Sequence, residues 1–306
     1  MEHLTHILGE PVIDAEEEAF IIFSQEIPSQ SLGFIDSQAS TLEVCVAGHD
    51  LTIHQSRGLL TSDRKAGTTG AVVWKVTPLF AQWISSPNNF LSTTSLLTPT
   101  STAIELGAGV SGVVALSLGP RISHYTATDQ AYVLKLLRQN IAENLPVVFP
   151  HTNNKVKKGG KSTTASKKNQ QPAASSSGMS EASERIEVRS LDWETDDVSQ
   201  LQAVDLVVAC DCIYNEALIE PLNSTCAAIC RLRGADASSS SSSSDSANTS
   251  RPTLCLIAQQ LRSPDVFEAW LKSFHRLFEV WRVPDGMLDE GLREGSGFVV
   301  HVGIVR

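Results

Sequence analysis

The chain has 306 residues, 42% of them hydrophobic, which is enough for one large α/β domain with extensions or for two small domains. It contains no run of eighteen apolar residues and no signal-peptide pattern at its start, so we expect a cytoplasmic or nuclear protein without a membrane span. The formal charge is −10, but residues 151–180 hold six lysines and no acid, which leaves −16 on the remainder. An acidic body repels nucleic acid and favours basic partners, although solubility alone also explains the charge.

The six cysteines lack the paired spacing of a zinc site, and no histidines cluster with them. They fall mostly in apolar segments, so we expect buried, reduced thiols and no metal.

The first seventy residues are predicted to form a strand-rich extension. Residues 42–46 and 51–54 flank a turn that contains Gly48, which is a hairpin signal. Residues 70–84 then carry apolar residues at helical spacing. Pro78 lies inside that pattern and should kink the helix or confine its first turns to a separate piece.

Five predicted strands alternate with helices over the remainder of the chain. The strands are residues 103–106, 122–128, 185–188, 203–210 and 253–258, and the helices are residues 113–118, 131–144, 216–232 and 265–278. Two further strands, 278–283 and 298–305, are joined without a helix and should pair antiparallel. We therefore predict a Rossmann-like α/β fold with five parallel strands, an antiparallel closing pair and helices on both faces.

Two low-complexity segments interrupt this pattern. Residues 151–183 and 235–251 are rich in lysine or serine and poor in large apolar groups, so we expect disordered insertions. The predicted organisation is an N-terminal extension over residues 1–70 and a main domain over residues 71–306.

A glycine motif follows the first predicted strand. Gly107, Gly109 and Gly112 have the spacing of a tight turn that lets a nucleotide approach the backbone. Glu105, two residues before the first glycine, suits a ligand with an amine or a ribose hydroxyl, or hydrogen bonds to the loop amides. Asp129 follows Gly109 at the distance where related folds place an acid for ribose hydroxyls. The glycine spacing also fits a nicotinamide or flavin site, and Asp129 also suits the cap of the next helix.

Together these features resemble the class I, seven-strand S-adenosylmethionine-dependent methyltransferases. The Glu-x-Gly-x-Gly of residues 105–109 opens the predicted sheet as in that class. Gly70-x-x-x-Trp74, the Leu-Asp-Trp of residues 191–193 and Asp211-x-x-Tyr214 narrow the resemblance to protein-lysine methyltransferases of the methyltransferase-like twenty-one group. The extension and the insertions look most like the fungal ribosomal lysine N-methyltransferase branch.

The resemblance implies S-adenosyl-L-methionine as cofactor. We assign the following residues to cofactor binding: Trp74, Glu105, Gly107, Ala108, Gly109, Asp129, Trp193 and Cys210. The catalytic assignments are Asp211, which would attract and orient the acceptor amine, and Tyr214, which would narrow the channel. The alternatives are core packing for the two tryptophans, and a helix cap at Asp211 with Tyr214 in the core.

The predicted function is methylation of a lysine in a large-subunit ribosomal protein. The alternatives are a methyltransferase of a histidine, an N-terminus or a small molecule, and a non-catalytic scaffold whose residues 151–180 contact RNA or the ribosome. The expected partner is a basic ribosomal protein. We expect no membrane contact, no direct nucleic acid contact and a monomeric chain.

Overall fold

The computed structural model of this chain describes residues 2–28, 32–62, 68–150, 184–239 and 251–306. The predicted insertion at 151–183 and most of the one at 235–251 lie outside the described residues. Residues 235–239 are helical, which corrects the start of the second insertion. The division into an extension and a main domain stays a prediction.

The N-terminal region contains a hairpin preceded by helices. Its elements are α1 (Glu2–Leu8), α2 (Ala15–Phe23), β1 (Thr41–Val46), β2 (His49–His54) and α3 (Arg57–Leu60). The hairpin is confirmed, but residues 2–23 are mostly helical and the prediction of a strand-rich extension is wrong there. Asp14 explains the second helix, because its carboxylate accepts the backbone N–H groups of Glu16 and Glu17.

Six α-helices follow in the part of the chain that the structure describes. They are α4 (Val76–Ile84), α5 (Phe90–Thr93), α6 (Val113–Leu118), α7 (Leu134–Val148), α8 (Ile219–Ser239) and α9 (Pro264–Leu277). Pro78 lies in the first turn of α4, where its missing N–H costs no helical hydrogen bond. The α8 helix continues past its predicted end at Leu232, because Gly234 is accommodated within the helix and does not terminate it.

The main sheet has seven strands. They are β3 (Thr102–Leu106), β4 (His124–Asp129), β5 (Ile186–Ser190), β6 (Leu206–Cys210), β7 (Leu254–Gln260), β8 (Phe278–Arg282) and β9 (Phe298–Val305). Their spatial order is β5-β4-β3-β6-β7-β9-β8. The first five pair in parallel, and β9 is antiparallel to both β7 and β8. The predicted fold class is confirmed.

Hydrophobic side chains cover both faces of the sheet. Phe80 of α4 and Leu137 of α7 belong to one buried cluster, while Leu222 of α8 and Trp270 of α9 belong to the other. Five cysteines are buried free thiols, and Cys45 is an exposed one. Among the described residues, no helix combines the length and hydrophobicity that a membrane span requires.

The register of the central strands places the site. Leu106 of β3 lies opposite Thr128 of β4 and Ala209 of β6, so these three strands end at one level. In a parallel sheet of this kind, ligands bind outside the carboxyl ends of the strands where the strand order reverses. The reversal falls between β3 and β6.

Candidate active site

A cleft opens at the carboxyl ends of β3, β4 and β6. Its empty volume, including the part open to solvent, is about 1230 Å³, which gives room for a nucleoside-sized ligand. All the residues predicted for the site line this cleft: Trp74, Glu105, Gly107, Ala108, Gly109, Asp129, Trp193, Cys210, Asp211 and Tyr214. The structure therefore brings the predicted set together, and the individual roles stay predictions.

The glycine loop is packed tightly against other parts of the cleft wall. Gly107 has φ 72°, and a Cβ there would lie 2.7 Å from the Cys212 Sγ and 3.1 Å from the Trp193 ring. Gly109 has φ 61°, and a Cβ there would lie 3.1 Å from the Gly70 carbonyl oxygen. Both positions thus need glycine for conformation and for space.

Three consecutive backbone amides of this loop are already used by protein acceptors. The Ala108 N–H donates to the Thr128 carbonyl at 3.0 Å, and the Val110 N–H donates to the Gly70 carbonyl at 2.8 Å. Between them, the Gly109 N–H donates to Asp129 Oδ2 at 2.8 Å. Loops that bind a pyrophosphate present such amides to the ligand. These three amides are unavailable for that purpose, so the loop does not suit the nicotinamide or flavin alternative.

Glu105 is a buried carboxyl group at the floor of the cleft. It is 3% exposed, and its Oε2 accepts a hydrogen bond from the Tyr125 hydroxyl at 2.8 Å. Burial raises the pKa of Glu105 to about 7; the Tyr125 hydrogen bond opposes this shift and the charge of Asp129 adds to it. Its donor is thus a side chain of the neighbouring strand and not a glycine-loop amide.

Asp129 is a second acid at the cleft, at the end of β4. Besides Gly109, the Gln130 N–H donates to its carboxylate at 2.7 Å. Burial raises the pKa of Asp129 to about 6, against the effect of both backbone hydrogen bonds. The next helix starts at Leu134 without a side-chain cap, so Asp129 does not act as the helix cap.

The two tryptophans are partly exposed in the cleft wall. The Trp74 indole N–H donates to the Thr69 carbonyl at 3.2 Å, and its ring centroid lies 4.5 Å from that of Phe34. Trp193 packs against the hydrophobic cluster under α8 and also against the glycine loop. Neither is a plain core aromatic.

Asp211 has a partner that the sequence analysis missed. Its carboxylate accepts two hydrogen bonds from the Arg262 guanidinium, at 2.7 and 2.6 Å, and one from the Gln260 N–H at 3.2 Å. The Asp211 side chain is 0% exposed. The Arg262 charge offsets that of Asp211, and the role of Asp211 in orienting the acceptor amine stays a prediction. Asn215, not Asp211, caps the turn that follows.

The position of Arg262 in the sequence could have indicated this pairing. It lies two residues after β7, at the sheet edge where the other site residues meet. A cation placed there is a candidate partner for Asp211, which follows the adjacent strand β6.

Tyr214 stands at the rim of the cleft and is 37% exposed, so it does not lie in the core. Burial raises the pKa of its hydroxyl, and a hydrogen bond with Thr69 opposes the shift. Cys212 is a further cleft residue that was not predicted; its Sγ donates to the Leu106 carbonyl at 3.2 Å.

Comparisons with known proteins agree with this architecture. A lysine methyltransferase family model matches residues 165–241, a range that includes β5, β6 and Tyr214. Ribosomal lysine N-methyltransferase 5 of Zygosaccharomyces rouxii is 30% identical over 246 residues, which cover 73% of this chain and 70% of that protein.

Two other similarities are less informative. Diaminohydroxyphosphoribosylamino-pyrimidine deaminase of Schizosaccharomyces pombe is 26% identical over 88% of this chain but only 53% of that protein, so the chain spans about half its length. The tRNA (uracil-54, C5)-methyltransferase of Pyrococcus abyssi, solved with S-adenosyl-L-homocysteine, aligns with a TM-score of 0.39 and 12% identity over 88% of this chain and 45% of that one. That likeness is too distant to carry an argument.

The sheet order and the cleft define a methyltransferase of the class I, seven-strand type. The extent of the similarity to the Zygosaccharomyces rouxii protein, together with the family model, identifies the branch: the chain belongs to the lysine methyltransferase family. The family expected from the motifs is thereby confirmed.

Proposed function

We propose that this protein transfers a methyl group from S-adenosyl-L-methionine to the side-chain amine of a lysine in a ribosomal protein. Lysine methyltransferase activity follows from the family. The name of the Zygosaccharomyces rouxii relative supports a ribosomal protein as the substrate. The observation that carries the proposal is the glycine loop: its backbone amides at 108–110 donate to protein acceptors, while the buried Glu105 and the half-buried Asp129 line the cleft.

S-adenosyl-L-methionine is the methyl donor, and the polar groups that line the cleft fit it. The cofactor has a sulfonium and an ammonium group and no phosphate, and the cleft offers carboxyl groups at Glu105 and Asp129 in place of free loop amides. We assign Glu105 to the cationic end of the cofactor and Asp129 to its ribose hydroxyls. Trp74 and Trp193 would flank it, together with the backbone of the loop and of Cys210.

The residues at the rim have a positioning task. Methyl transfer is an in-line displacement, so the acceptor nitrogen needs a free lone pair and a fixed approach. A free lysine is almost entirely protonated at neutral pH and must lose its proton to water before the transfer. The partly exposed Tyr214 ring would narrow the entrance and exclude water from the amine.

The nature of the partner remains part of the proposal. The charge of −16 outside residues 151–180 supports a basic protein substrate and argues against direct nucleic acid contact. A monomeric chain and a cytoplasmic or nuclear location stay predictions.

The decisive experiment is product mapping. The protein is incubated with ribosome-containing lysate and methyl-labelled S-adenosylmethionine, and the modified residue is located by mass spectrometry. Methyl-lysine in a ribosomal protein is the expected product. Label on histidine, on an N-terminus or on a small molecule would replace the proposed acceptor. Binding of the cofactor without any labelled product would identify a non-catalytic scaffold.

A further inference from the structure

We infer that Arg262 is a positioning residue of the acceptor site. Its positive charge offsets the negative charge of Asp211 that the incoming lysine would otherwise meet, and its hydrogen bonds hold the outer wall of the cleft in place. This inference rests on the proposed function, because it concerns the acceptor amine of the same reaction.

The guanidinium of Arg262 joins several parts of the chain. Besides the bidentate pair with Asp211, it donates to Gln260 Oε1 at 2.9 Å and to the Leu32 carbonyl at 3.3 Å. Its carbon Cζ lies 4.7 Å from the centroid of the Trp74 ring, in cation–π contact. The planar fork of arginine suits such simultaneous contacts, whereas a lysine ammonium does not.

Residues 32–35 come to this site from the N-terminal region. The Lys75 N–H donates to the Gly33 carbonyl at 2.8 Å, and the Ile35 N–H donates to the Val73 carbonyl at 3.1 Å. These bonds pair residues 32–35 with the segment around Trp74, which lines the cleft. At Gly33, with φ 91°, any Cβ would overlap Gln260 Oε1. The N-terminal region therefore reaches the rim of the cleft, with Arg262 holding it there.

The charge of this pair matters for the chemistry. A lone carboxylate near the acceptor would favour the ammonium form of lysine, which cannot accept a methyl group. The Asp211–Arg262 pair has no net charge, so it does not favour the ammonium form of the acceptor lysine over the neutral amine.

Other titratable groups face the same region, and none of them is substituted in the variants compared below. They are Cys210 and Cys212 beside Asp211, Glu105 on β3, Asp129 on β4 and Tyr214 in the following loop. None of them is a cation, and Arg262 is in direct contact with the carboxylate of Asp211.

The test compares Arg262→Met, Arg262→Lys and the double variant Asp211→Asn/Arg262→Met by the pH profile of kcat. In Arg262→Met the profile should move to higher pH by about one unit, because an uncompensated carboxylate then favours the lysine ammonium. Arg262→Lys should keep the wild-type position of the profile, even if kcat falls. The double variant should return the profile to that position, since neither charge remains. Arg276→Met serves as the control, because Arg276 forms an exposed ion pair with Glu220 away from the cleft.

Affinity for the cofactor and the unfolding temperature are measured in parallel. A merely structural role for Arg262 would lower activity equally at every pH and leave the profile in place, which would overturn the inference. If the wild-type protein methylates lysine but the pH profile of Arg262→Met does not shift, this inference is wrong and the proposed function stands. A wild-type protein that binds cofactor but forms no methyl-lysine would overturn the proposed function, and this inference with it.

Discussion

The Tyr125 hydroxyl donates a hydrogen bond to the Glu105 carboxyl group at 2.8 Å, across the neighbouring strands β4 and β3. Glu105 lines the floor of the cleft, where it would meet the proposed cationic cofactor, and Tyr125 is fully buried behind it.

Affinity for S-adenosylmethionine should increase as the pH rises from 6 to 8. In the free protein the pKa of Glu105 is about 7, so the carboxyl group is mostly protonated at pH 6. A cationic ligand favours the ionised form, which becomes available above pH 7. Calorimetric titration at several pH values measures this, and Glu105→Gln should weaken binding about tenfold at pH 8 and flatten the pH dependence. An unchanged slope in Glu105→Gln would rule out the contact.

The stability of the free protein should respond to Glu105 in the opposite sense. Its pKa rises from an ordinary value of 4.5 to about 7 on folding, so its contribution to stability is complete below pH 4.5 and is lost as the pH rises to 7. Asp129 acts in the same direction between pH 3.8 and about 6. Glu105→Gln should therefore stabilise the free protein at pH 8 by an amount on the order of 2 kcal/mol. Chemical denaturation at pH 5 and pH 8 tests this, with Glu43→Gln on the exposed face of β1 as the control.

Gly107→Ala should weaken cofactor binding by at least about tenfold and destabilise the fold by about 2 kcal/mol, because the new methyl group meets Cys212 and Trp193 in a left-handed backbone conformation. The matched control is Gly48→Ala in the hairpin turn. Gly48 has φ 79° but no heavy atom within 4 Å of an added Cβ, so only the backbone strain of about 1 kcal/mol applies. Titration and denaturation should separate the two variants. Equal loss of cofactor affinity in both would mean that loop packing does not shape the site.

Tyr214→Ala should lower kcat by roughly one to two orders of magnitude through loss of a positioned acceptor, with little change in cofactor affinity. Tyr214→Phe should retain most of the activity if the ring alone narrows the entrance. Steady-state kinetics on the mapped substrate provides the measurement, and cofactor titration provides the control. A Phe variant as inactive as the Ala variant would instead assign the role to the hydroxyl.

Local pattern was sufficient for much of the fold. The apolar alternation and the glycine punctuation placed all seven strands of the sheet and the starts of the four helices between them within a few residues, whereas α8 runs to Ser239 instead of its predicted end at Leu232. It did not indicate α1 and α2, because short helices in an acidic segment depend on a cap such as Asp14 and on packing against the sheet helices. The predicted site residues share one cleft because parallel strands end at one edge.

The sequence by itself determined the family, the sheet and the residues that line the cleft, because motif spacing and hydrophobic periodicity are local properties of the chain. Only the tertiary structure decided how those residues are paired. The Asp211–Arg262 ion pair, the Tyr125–Glu105 hydrogen bond and the contact of Gly33 with Lys75 join positions far apart in the chain. Which acid is paired with a cation, and which has its pKa raised by burial, depends on such partners and on desolvation, and both are set by the packed structure.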